Sequence, residues 1–247
     1  MARRYIATGL AYLDLSEVSG HLLVLEGPDG VGRTTQLSLL RTWLEVQGYG
    51  VIETGWTRSQ LVSDSIDLAK AGNTLNVLTF NLLYATDFAD RLEHEMIPAL
   101  RSGFIVLADR YIYTAFARAI VRGADAKWIR DLYGFAIQPD LVLYLKVDVD
   151  TLIHRVLLAD SLDYWEAGLD HNPGLDPYDS FKRYQAKMIG EFDTMADEFN
   201  FAVIDARKSV DEIQQDLRNA ISQVLNLSPE RSVDAPVGEA EGVSPRE

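Results

Sequence analysis

The sequence predicts a three-layer α/β/α sandwich built around a five-stranded parallel sheet. Short apolar runs alternate with longer stretches of helical periodicity, which is the order typical of successive β-α units. The first apolar run passes through a glycine-rich loop directly into a helical pattern, and no internal repeat suggests a solenoid. The five predicted strands cover residues 21–26, 50–54, 104–109, 141–147 and 201–205.

The first strand and helix have the clearest patterns. Residues 21–26 (HLLVLE) form an almost continuous apolar run, as expected for a central strand that is buried on both faces. The next helix, residues 32–47, is predicted to place Leu37, Leu40, Leu44 and Val46 on about one stripe. A strand, a loop and a helix therefore follow one another at the start of the domain.

Helical patterns fill the intervals between the later strands. A long helical region spans residues 73–100, and an irregular acidic segment spans residues 159–177. The other predicted helices cover residues 111–122, 125–135, 150–158, 179–199 and 210–225. Ligands of such sheets bind at the carboxyl ends of the strands, so the candidate site residues follow Glu26, Thr54, Asp109, Val147 and Asp205.

Composition excludes several classes of function. The 247 residues include 37 Asp and Glu against 23 Lys and Arg, which gives a formal charge of −14. Because an acidic surface repels polyanions, nucleic acid is not an expected partner. The lack of cysteine excludes disulfides, thiolate catalysis and Cys-ligated metal centres, and it fits a reducing cytoplasm. No apolar run approaches the length of a membrane span.

One domain over residues 21–227 is expected between two terminal segments. Residues 1–20 begin with basic residues but contain no continuous apolar run, which indicates an N-terminal extension and not a signal peptide. Residues 228–247 carry three of the eight prolines, with five acidic against two basic side chains and a net charge of −3. This composition predicts a disordered acidic tail.

A glycine-rich loop follows the first strand and matches the pattern G-x-x-x-x-G-[K/R]-[S/T]. Its glycines let main-chain N–H groups turn toward one centre, and the next helix adds the positive end of its dipole. Arg33 stands at the position of the usual lysine and carries a planar guanidinium in place of a compact ammonium group. Its side chain is expected to reach the β and γ phosphates of ATP. The hydroxyl of Thr34 is expected to ligate Mg²⁺. The predicted phosphate-binding residues are Gly27, Pro28, Asp29, Gly30, Val31, Gly32, Arg33, Thr34 and Thr35.

With this loop, the sequence resembles the thymidylate kinase family of P-loop nucleoside monophosphate kinases over about residues 20–227. Residues 25–36 are similar to the phosphate loop of that family, and residues 109–111 (Asp-Arg-Tyr) to its Asp-Arg-aromatic element. Residues 82–87 resemble its helix beside the acceptor base, and residues 139–145 its fourth strand. The resemblance implies Mg²⁺, ATP and a nucleoside monophosphate as ligands, and a homodimer formed through helices beside the sheet.

The resemblance also implies roles for single residues. Asp29 would contact the acceptor sugar, Arg110 would hold the acceptor phosphate, Asp109 would serve the magnesium, and Tyr84 would stack on the acceptor base. The residues themselves support part of this, because Asp109 and Arg110 end an apolar strand on the side where the phosphate loop opens. A structural Asp–Arg pair that caps the next helix, and a core role for Tyr84, are the alternatives.

The sequence departs from the family at the positions that read thymine. Phe88 stands where the family has an arginine, and Arg118 and Ala119 stand at its aromatic and base-reading glutamine. Thymine preference therefore does not follow from the resemblance alone. In the altered loop after the second strand, Arg58 is a candidate for the acceptor phosphate. Trp56 is either a second stacking surface or, as the favoured interpretation, a loop anchor.

A lid that excludes water is expected over about residues 157–180, which contain no Lys or Arg. Arg155 and Arg183, in the helices that flank this acidic segment, are candidates to neutralise the transferring phosphoryl group. Solvated helix charges are the alternative for both. Arg118 and Arg122 share one helix face, which is either an acceptor-phosphate clamp or plain surface.

The sequence thus predicts a cytoplasmic, Mg²⁺-dependent P-loop kinase that transfers the γ-phosphoryl group of ATP to a nucleoside monophosphate such as dTMP. The predicted catalytic residues are Arg33, Asp109 and Arg110, and the metal ligands are Thr34 and Asp109. The predicted acceptor-binding residues are Asp29, Arg58, Tyr84, Phe88, Arg110 and Arg118.

Three other functions stay open at the level of sequence. A deoxynucleoside kinase would need a carboxylate base, for which Glu26 or Asp29 is available. A kinase that uses polyphosphate is the second alternative. The third, outside enzymes, is a nucleotide-binding regulator in which Arg33 and the missing base readers reflect weakened catalysis.

Overall fold

Five parallel strands form the centre of the protein. The computed structural model describes residues 4–71, 76–159 and 163–227. Within these ranges the strands pair in the order β2-β3-β1-β4-β5, and every pairing is parallel. The predicted fold class is therefore confirmed. The strands are β1 His21–Glu26, β2 Val51–Gly55, β3 Ile105–Asp109, β4 Leu141–Lys146 and β5 Ala202–Asp205.

Helices cover both faces of this sheet. Short 3₁₀ and π turns lie at Leu15–Glu17 and Leu92–Met96. The α-helices are α1 Arg33–Val46, α2 Ser63–Ala71, α3 Val77–Arg91, α4 Ile97–Arg101, α5 Ile112–Val121, α6 Ala126–Leu132, α7 Val149–Ala159, α8 Pro177–Phe199 and α9 Val210–Leu225.

Two helical features differ from the sequence prediction. The region predicted as one helix over residues 73–100 divides into α3, the π turn and α4, and Pro98, which has no N–H, lies in the first turn of α4. Helix α2 was missed, because Ile66 is its one buried side chain and its sequence has no apolar stripe.

Alternate residues of β1 face the two helical layers. Leu22 and Val24 pack with side chains of α3 to α6 and α8, whereas Leu23 and Leu25 pack with side chains of α1, α7 and α9. All four side chains are fully buried, and burial of each stabilises the fold by roughly 1.5–3 kcal/mol. The two-sided core explains why this strand is apolar at consecutive positions.

The strand register brings three loops together at the carboxyl edge of the sheet. Asp109, the last residue of β3, pairs with Leu25 of β1 and with Gly55 of β2. The loops that leave β1, β2 and β3 therefore begin side by side. This edge holds the glycine-rich loop, Asp109 and the loop that carries Arg58.

The N-terminal segment packs along the helical layer that contains α6. Tyr5 forms an antiparallel bridge with Ile137, and the Ile6 N–H donates to the Ala136 carbonyl at 2.9 Å. The predicted tail at residues 228–247 lies outside the described residues. In the described part of the chain, no helix combines the length and the apolar character needed to cross a membrane.

Helix α9 begins with a capping box that can be tested. The Ser209 hydroxyl accepts a hydrogen bond from the Glu212 N–H, while the Glu212 carboxylate accepts one from the Ser209 N–H. Ser209→Ala should lower the free energy of unfolding by about 1 kcal/mol. The control Ser222→Ala, inside the same helix, should change it by less than about 0.5 kcal/mol. Urea unfolding followed by circular dichroism measures both, and equal stabilities would contradict this account.

Candidate active site

The glycine-rich loop turns sharply between β1 and α1. Gly27, Gly30 and Gly32 have φ angles of 150°, 79° and 100°, a region that other residues rarely adopt. A Cβ atom at Gly30 would also lie 2.6 Å from Cγ2 of Val156, and one at Gly27 would lie 2.9 Å from the Leu145 carbonyl oxygen. Both the turn and the close packing against neighbouring elements therefore require glycine.

Arg33 joins this loop to the end of β3. Its Nη1 donates to the main-chain carbonyls of Gly27 and Pro28, each at 2.6 Å, and its Nε donates to Oδ1 of Asp109 at 2.8 Å. The side chain is 9% exposed. The prediction that Arg33 reaches the β and γ phosphates stays a prediction, and in the structure its Nε and Nη1 are engaged by Asp109 and by the loop. The physical reason is the planar guanidinium group, whose several N–H donors can reach three acceptors at once.

Arg155 of α7 supports the same loop from behind. Its Nη1 donates to the Val31 carbonyl at 3.1 Å, and its Nη2 donates to the Ala206 carbonyl at 2.7 Å. The guanidinium thus ties the loop to the connection between β5 and α9. Arg183, the other predicted lid arginine, is exposed on α8.

Two arginines converge on Asp29 of the loop. Arg110 donates an Nη2 hydrogen bond to Asp29, and Nη2 of Arg118 lies 3.2 and 3.3 Å from its two carboxylate oxygens. Nε2 of Gln185 lies 3.3 Å from the same carboxylate, which is 2% exposed. Arg110 has a φ angle of 68°, the left-handed region, which marks backbone strain at a candidate functional position.

The guanidinium of Arg110 is not saturated by these contacts. Its Nε is buried and has no hydrogen-bond partner among the described residues. Burial, followed by the positive charge of Arg118, lowers the pKa of Arg110 to about 9, so the group stays charged at neutral pH. An anionic ligand would supply both the missing acceptor and the missing negative charge.

A cleft of about 190 Å³ opens in front of this group. Its lining combines positive, negative and aromatic side chains in a way that suits a phosphorylated aromatic compound. The cations are Arg58, Lys70, Arg110, Arg118 and Arg122, the acids are Asp109, Asp163 and Glu166, and the aromatic residues are Trp56, Phe80, Tyr84 and Trp165. Lys70 comes from α2, the helix that the sequence did not predict.

Aromatic rings form one wall of the cleft. Phe80 stacks on Tyr84 with ring centroids 4.5 Å apart and on Trp165 with centroids 5.7 Å apart. Trp56 packs against Tyr84 at 5.6 Å. Phe88, predicted as an acceptor-binding residue, is 1% exposed and lies in the core against Trp56. Phe80 and Trp165 were missed, since single aromatic residues in a helix and a loop give no pattern.

The loop after β2 is held by Asp87 of α3, which the sequence did not indicate. Its carboxylate accepts hydrogen bonds from the N–H groups of Thr57 and Ser59 at 3.1 and 3.0 Å. Arg91, one turn further on, donates from Nε to Asp87 and from Nη1 to the Thr54 hydroxyl. These bonds fix the loop so that Arg58, between the two bound amides, lies at the cleft.

Part of the acidic segment predicted as a lid lines the cleft through Asp163, Trp165 and Glu166, while residues 160–162 of the predicted lid lie outside the described residues. Arg122 donates to both carboxylate oxygens of Asp170, at 2.7 and 3.1 Å, and to the Trp165 carbonyl at 3.2 Å. It also donates to the Tyr184 hydroxyl of α8. Arg122 is therefore not plain surface, since its side chain is 10% exposed and anchors this segment, while the role of the same helix face as an acceptor-phosphate clamp stays a prediction.

Glu26 is fully buried and organises the start of α5. Its Oε1 accepts hydrogen bonds from the N–H groups of Tyr111 and Thr114, and its Oε2 accepts one from the Thr114 hydroxyl at 2.6 Å. Desolvation raises the pKa of Glu26 to about 7. With Glu26 buried and Asp29 paired with two arginines, neither carboxylate is placed as a free base for a sugar hydroxyl.

A phosphate loop that opens beside an arginine-rich, aromatic-walled cleft is the arrangement of a P-loop nucleoside monophosphate kinase. The family model for thymidylate kinase matches residues 25–217. The chain belongs to the thymidylate kinase family, which confirms the resemblance seen in the sequence.

Three curated relatives illustrate the extent of the similarity. The chain is 37% identical over 211 residues to "Probable thymidylate kinase 2" of Saccharolobus solfataricus, an alignment that covers 85% of this chain and 99% of that protein. It is 31% identical to "Probable thymidylate kinase" of Pyrococcus horikoshii, an alignment that covers 80% of this chain and 94% of that protein. It is 32% identical to the protein of the same name in Methanocaldococcus jannaschii, an alignment that covers 81% of this chain and 95% of that protein.

The raised pKa of Glu26 predicts a pH-dependent stability. The pKa of Glu26 is 4.5 in the unfolded chain and about 7 in the folded chain. Between these two pH values the folded chain keeps a proton on Glu26 that the unfolded chain has released. The free energy of unfolding should therefore fall as pH rises from about 5 to 8, by up to about 3 kcal/mol from this group. Glu26→Gln cannot titrate and should lack this contribution. Urea unfolding across the range measures both proteins, and a pH-independent difference between them would contradict the assignment.

Proposed function

We propose that the protein transfers the γ-phosphoryl group of ATP to dTMP, giving ADP and dTDP, in a Mg²⁺-dependent reaction. One observation carries the proposal: Asp109 lines both the aromatic cleft and a second cavity, of about 420 Å³, that Thr34 also lines. The end of β3 therefore lies where a donor on the loop and an acceptor in the cleft would meet. Membership of the thymidylate kinase family implies ATP as the donor.

The donor phosphates are assigned to the loop. Its main-chain N–H groups and the start of α1 supply partial positive charge, and Thr34 and Thr35 open that helix. Arg33 uses Nε and Nη1 to brace the loop, which leaves Nη2 to donate to a phosphate oxygen. In this proposal Arg33 contributes charge and holds the loop in shape at the same time.

The residues present fit a magnesium ion. The Thr34 hydroxyl and the Asp109 carboxylate line one cavity, and both are the hard oxygen donors that Mg²⁺ prefers. The described residues contain no cluster of three His, Cys, Asp or Glu side chains, so phosphate oxygens and water would complete the coordination. When bound, Mg²⁺ neutralises charge on the transferring phosphoryl group.

The acceptor is assigned to the cleft. Arg110, whose Nε–H has no partner among the described residues, and Arg58 line the cleft and would hold the acceptor phosphate. Asp29 is 2% exposed and paired with Arg110 and Arg118, and its role at the acceptor sugar rests on the family resemblance. Tyr84 and Phe80 offer the base an aromatic face. An oxygen of the acceptor phosphate attacks the γ-phosphorus as the bond to ADP breaks. That oxygen is already ionised at neutral pH, so the reaction depends on positioning and charge and needs no general base.

Arg155 and Arg183 have different places in the proposal. Arg155 is engaged by two main-chain carbonyls and stabilises the loop, while Arg183 is exposed and would need lid movement to reach a phosphate. A homodimer and a cytoplasmic location complete the proposal. The homodimer rests on the family resemblance, and the cytoplasmic location on the composition.

ADP formation over a panel of acceptors tests the function. With dTMP present the wild-type protein should release ADP, whereas Arg33→Ala should lose about 100-fold or more, because one preorganised donor contributes that much to transfer. Arg33→Lys should lose less, since lysine keeps the charge but lacks the fork. The control Arg101→Ala, a surface pair with Glu17, should be unaffected.

The same panel separates the alternatives. Tight ATP binding without acceptor-stimulated ADP release would favour the nucleotide-binding regulator. Faster phosphorylation of thymidine than of dTMP would favour a deoxynucleoside kinase, and phosphorylation of dTMP with inorganic polyphosphate as donor would favour the kinase that uses polyphosphate.

Arg122, which anchors the segment predicted as a lid, is predicted to help keep water away from the γ-phosphate of ATP during transfer. Arg122→Ala removes the contacts with Asp170, Trp165 and Tyr184, so water should reach the γ-phosphate more easily. We expect the ratio of ADP formed to dTDP formed to rise several-fold above one. Chromatography of the nucleotides measures it, with Arg130→Ala on the following helix as the control. A ratio that stays at one would exclude this role for Arg122.

A further inference from the structure

The N-terminal segment, residues 4–18, packs closely on the connection that precedes β4. The N–H groups of Ala7 and Gly9 both donate to the Gly134 carbonyl, at 2.9 and 3.1 Å. The approach is close, because a Cβ atom at Gly134 would lie 3.1 Å from that of Ala7. The segment precedes the residues that the family model matches, and the transfer proposed above makes no use of it.

Contacts within the segment fix its shape. The Tyr5 hydroxyl donates to the Leu13 carbonyl at 3.0 Å, and Gly9 has a φ angle of 68°, in the left-handed region. A Cβ atom at Gly9 would overlap the Tyr5 ring. Leu13 is 7% exposed and packs in the same core as Tyr133. The segment is therefore an integral part of the fold, and its turn requires a glycine at position 9.

Tyr133, the residue before Gly134, extends these contacts into the core. Its side chain is fully buried, and its ring packs edge-on against Trp56 and Phe88, with centroids 6.1 and 5.6 Å away. Burial, followed by the negative charge of Asp87, raises the pKa of Tyr133 above its ordinary value, so the phenol lies within electrostatic reach of that carboxylate. The main chain here adjoins the N-terminal segment, while the side chain contacts the loop after β2.

That loop has a strained backbone. Thr57 has a φ angle of 59°, a conformation that a β-branched residue rarely adopts. Such strain persists only where surrounding contacts hold the chain in place. The contacts are the hydrogen bond from the Thr57 N–H to Asp87 and the packing of Trp56 against Tyr133. Arg58 follows Thr57 directly, so the position of its side chain at the cleft depends on both.

We propose that the N-terminal segment positions the loop of residues 56–59, through Tyr133, for binding of the acceptor phosphate. The path of contacts runs from the Gly134 carbonyl to the Tyr133 ring, then to Trp56 and on to Arg58. The assignment rests on the proposed function, because it takes Arg58 as a ligand of the acceptor phosphate. The segment acts on the acceptor only through these residues and does not touch it.

The phosphate loop lies outside this path. Arg33 and Arg155 hold it, and the hydrogen bonds of these two side chains within the described residues go to the loop, Asp109 and Ala206. Loosening of the N-terminal segment should therefore weaken binding of the acceptor and leave binding of ATP unchanged.

Gly9→Ala tests the proposal without shortening the chain. The added methyl group overlaps the Tyr5 ring, so residues 5–13 should exchange amide hydrogens faster in hydrogen–deuterium exchange with mass spectrometry. Calorimetry should show dTMP bound about tenfold more weakly, because the loop is no longer preorganised, and ATP bound as by the wild-type protein. The control Gly48→Ala has a φ angle of 91° and open space around the new Cβ, and it should change neither affinity.

Two more variants distinguish positioning from a general loss of stability. Tyr133→Leu removes the ring in the middle of the path and should also weaken dTMP binding about tenfold. Combined with Gly9→Ala, it should cause no further loss, since both changes interrupt one path. Ala7→Pro removes the N–H that donates to Gly134 and should reproduce the effect of Gly9→Ala if that variant folds poorly, as thermal unfolding will show.

Three results would overturn the proposal. The first is wild-type affinity for dTMP in a folded variant whose N-terminal peptide exchanges fast. The second is an equal loss of affinity for dTMP and ATP, and the third is additive losses in the double variant. ADP formation is measured alongside, so a wild-type protein that binds dTMP without phosphorylating it refutes the proposed function, while the binding comparison still decides the role of the segment. If it binds no dTMP, both fail together.

Discussion

The site depends on the hydrogen bonds by which Arg33 joins the phosphate loop to the end of β3. Three acceptors from two separate elements meet one guanidinium: the carbonyls of Gly27 and Pro28, and the carboxylate of Asp109. The group is almost fully buried, so removal of one partner would leave an uncompensated charge in a poorly hydrated place. This makes the loop and the carboxylate a single unit, in which each holds the other in place.

The charge of the cleft is opposite to that of the protein as a whole. The chain has a formal charge of −14, yet five cations line the cleft against three acids. Asp29 neutralises part of this charge by lying between Arg110 and Arg118, so the free protein avoids two adjacent unpaired guanidinium groups. A phosphorylated ligand would take over that function. The net negative charge of the chain disfavours the binding of larger polyanions.

The residues of the site that belong to short sequence motifs could be predicted from the sequence. Asp109, Arg110 and Tyr84 line the cleft, and Thr34, which follows the glycine-rich loop, lines a second cavity together with Asp109. Phe88 lies in the core, because the direction in which a helical side chain points depends on how the helix packs. Lys70, Phe80 and Trp165 reach the cleft from segments that are far apart in the chain. No spacing rule connects such residues before the chain folds.

The sequence by itself determined the parallel sheet, its order of elements and the phosphate loop, because apolar periodicity and glycine positions act over a few residues. The tertiary structure alone decided what each charged side chain does. Arg155 and Arg122 could both have faced a phosphate, and each is instead engaged by carbonyls or carboxylates that folding brings within 3.2 Å. Arg33 uses two of its nitrogen atoms in the same way, on the loop carbonyls and on Asp109. A guanidinium binds whichever acceptors surround it, and those acceptors come from elements up to 124 residues away in the chain.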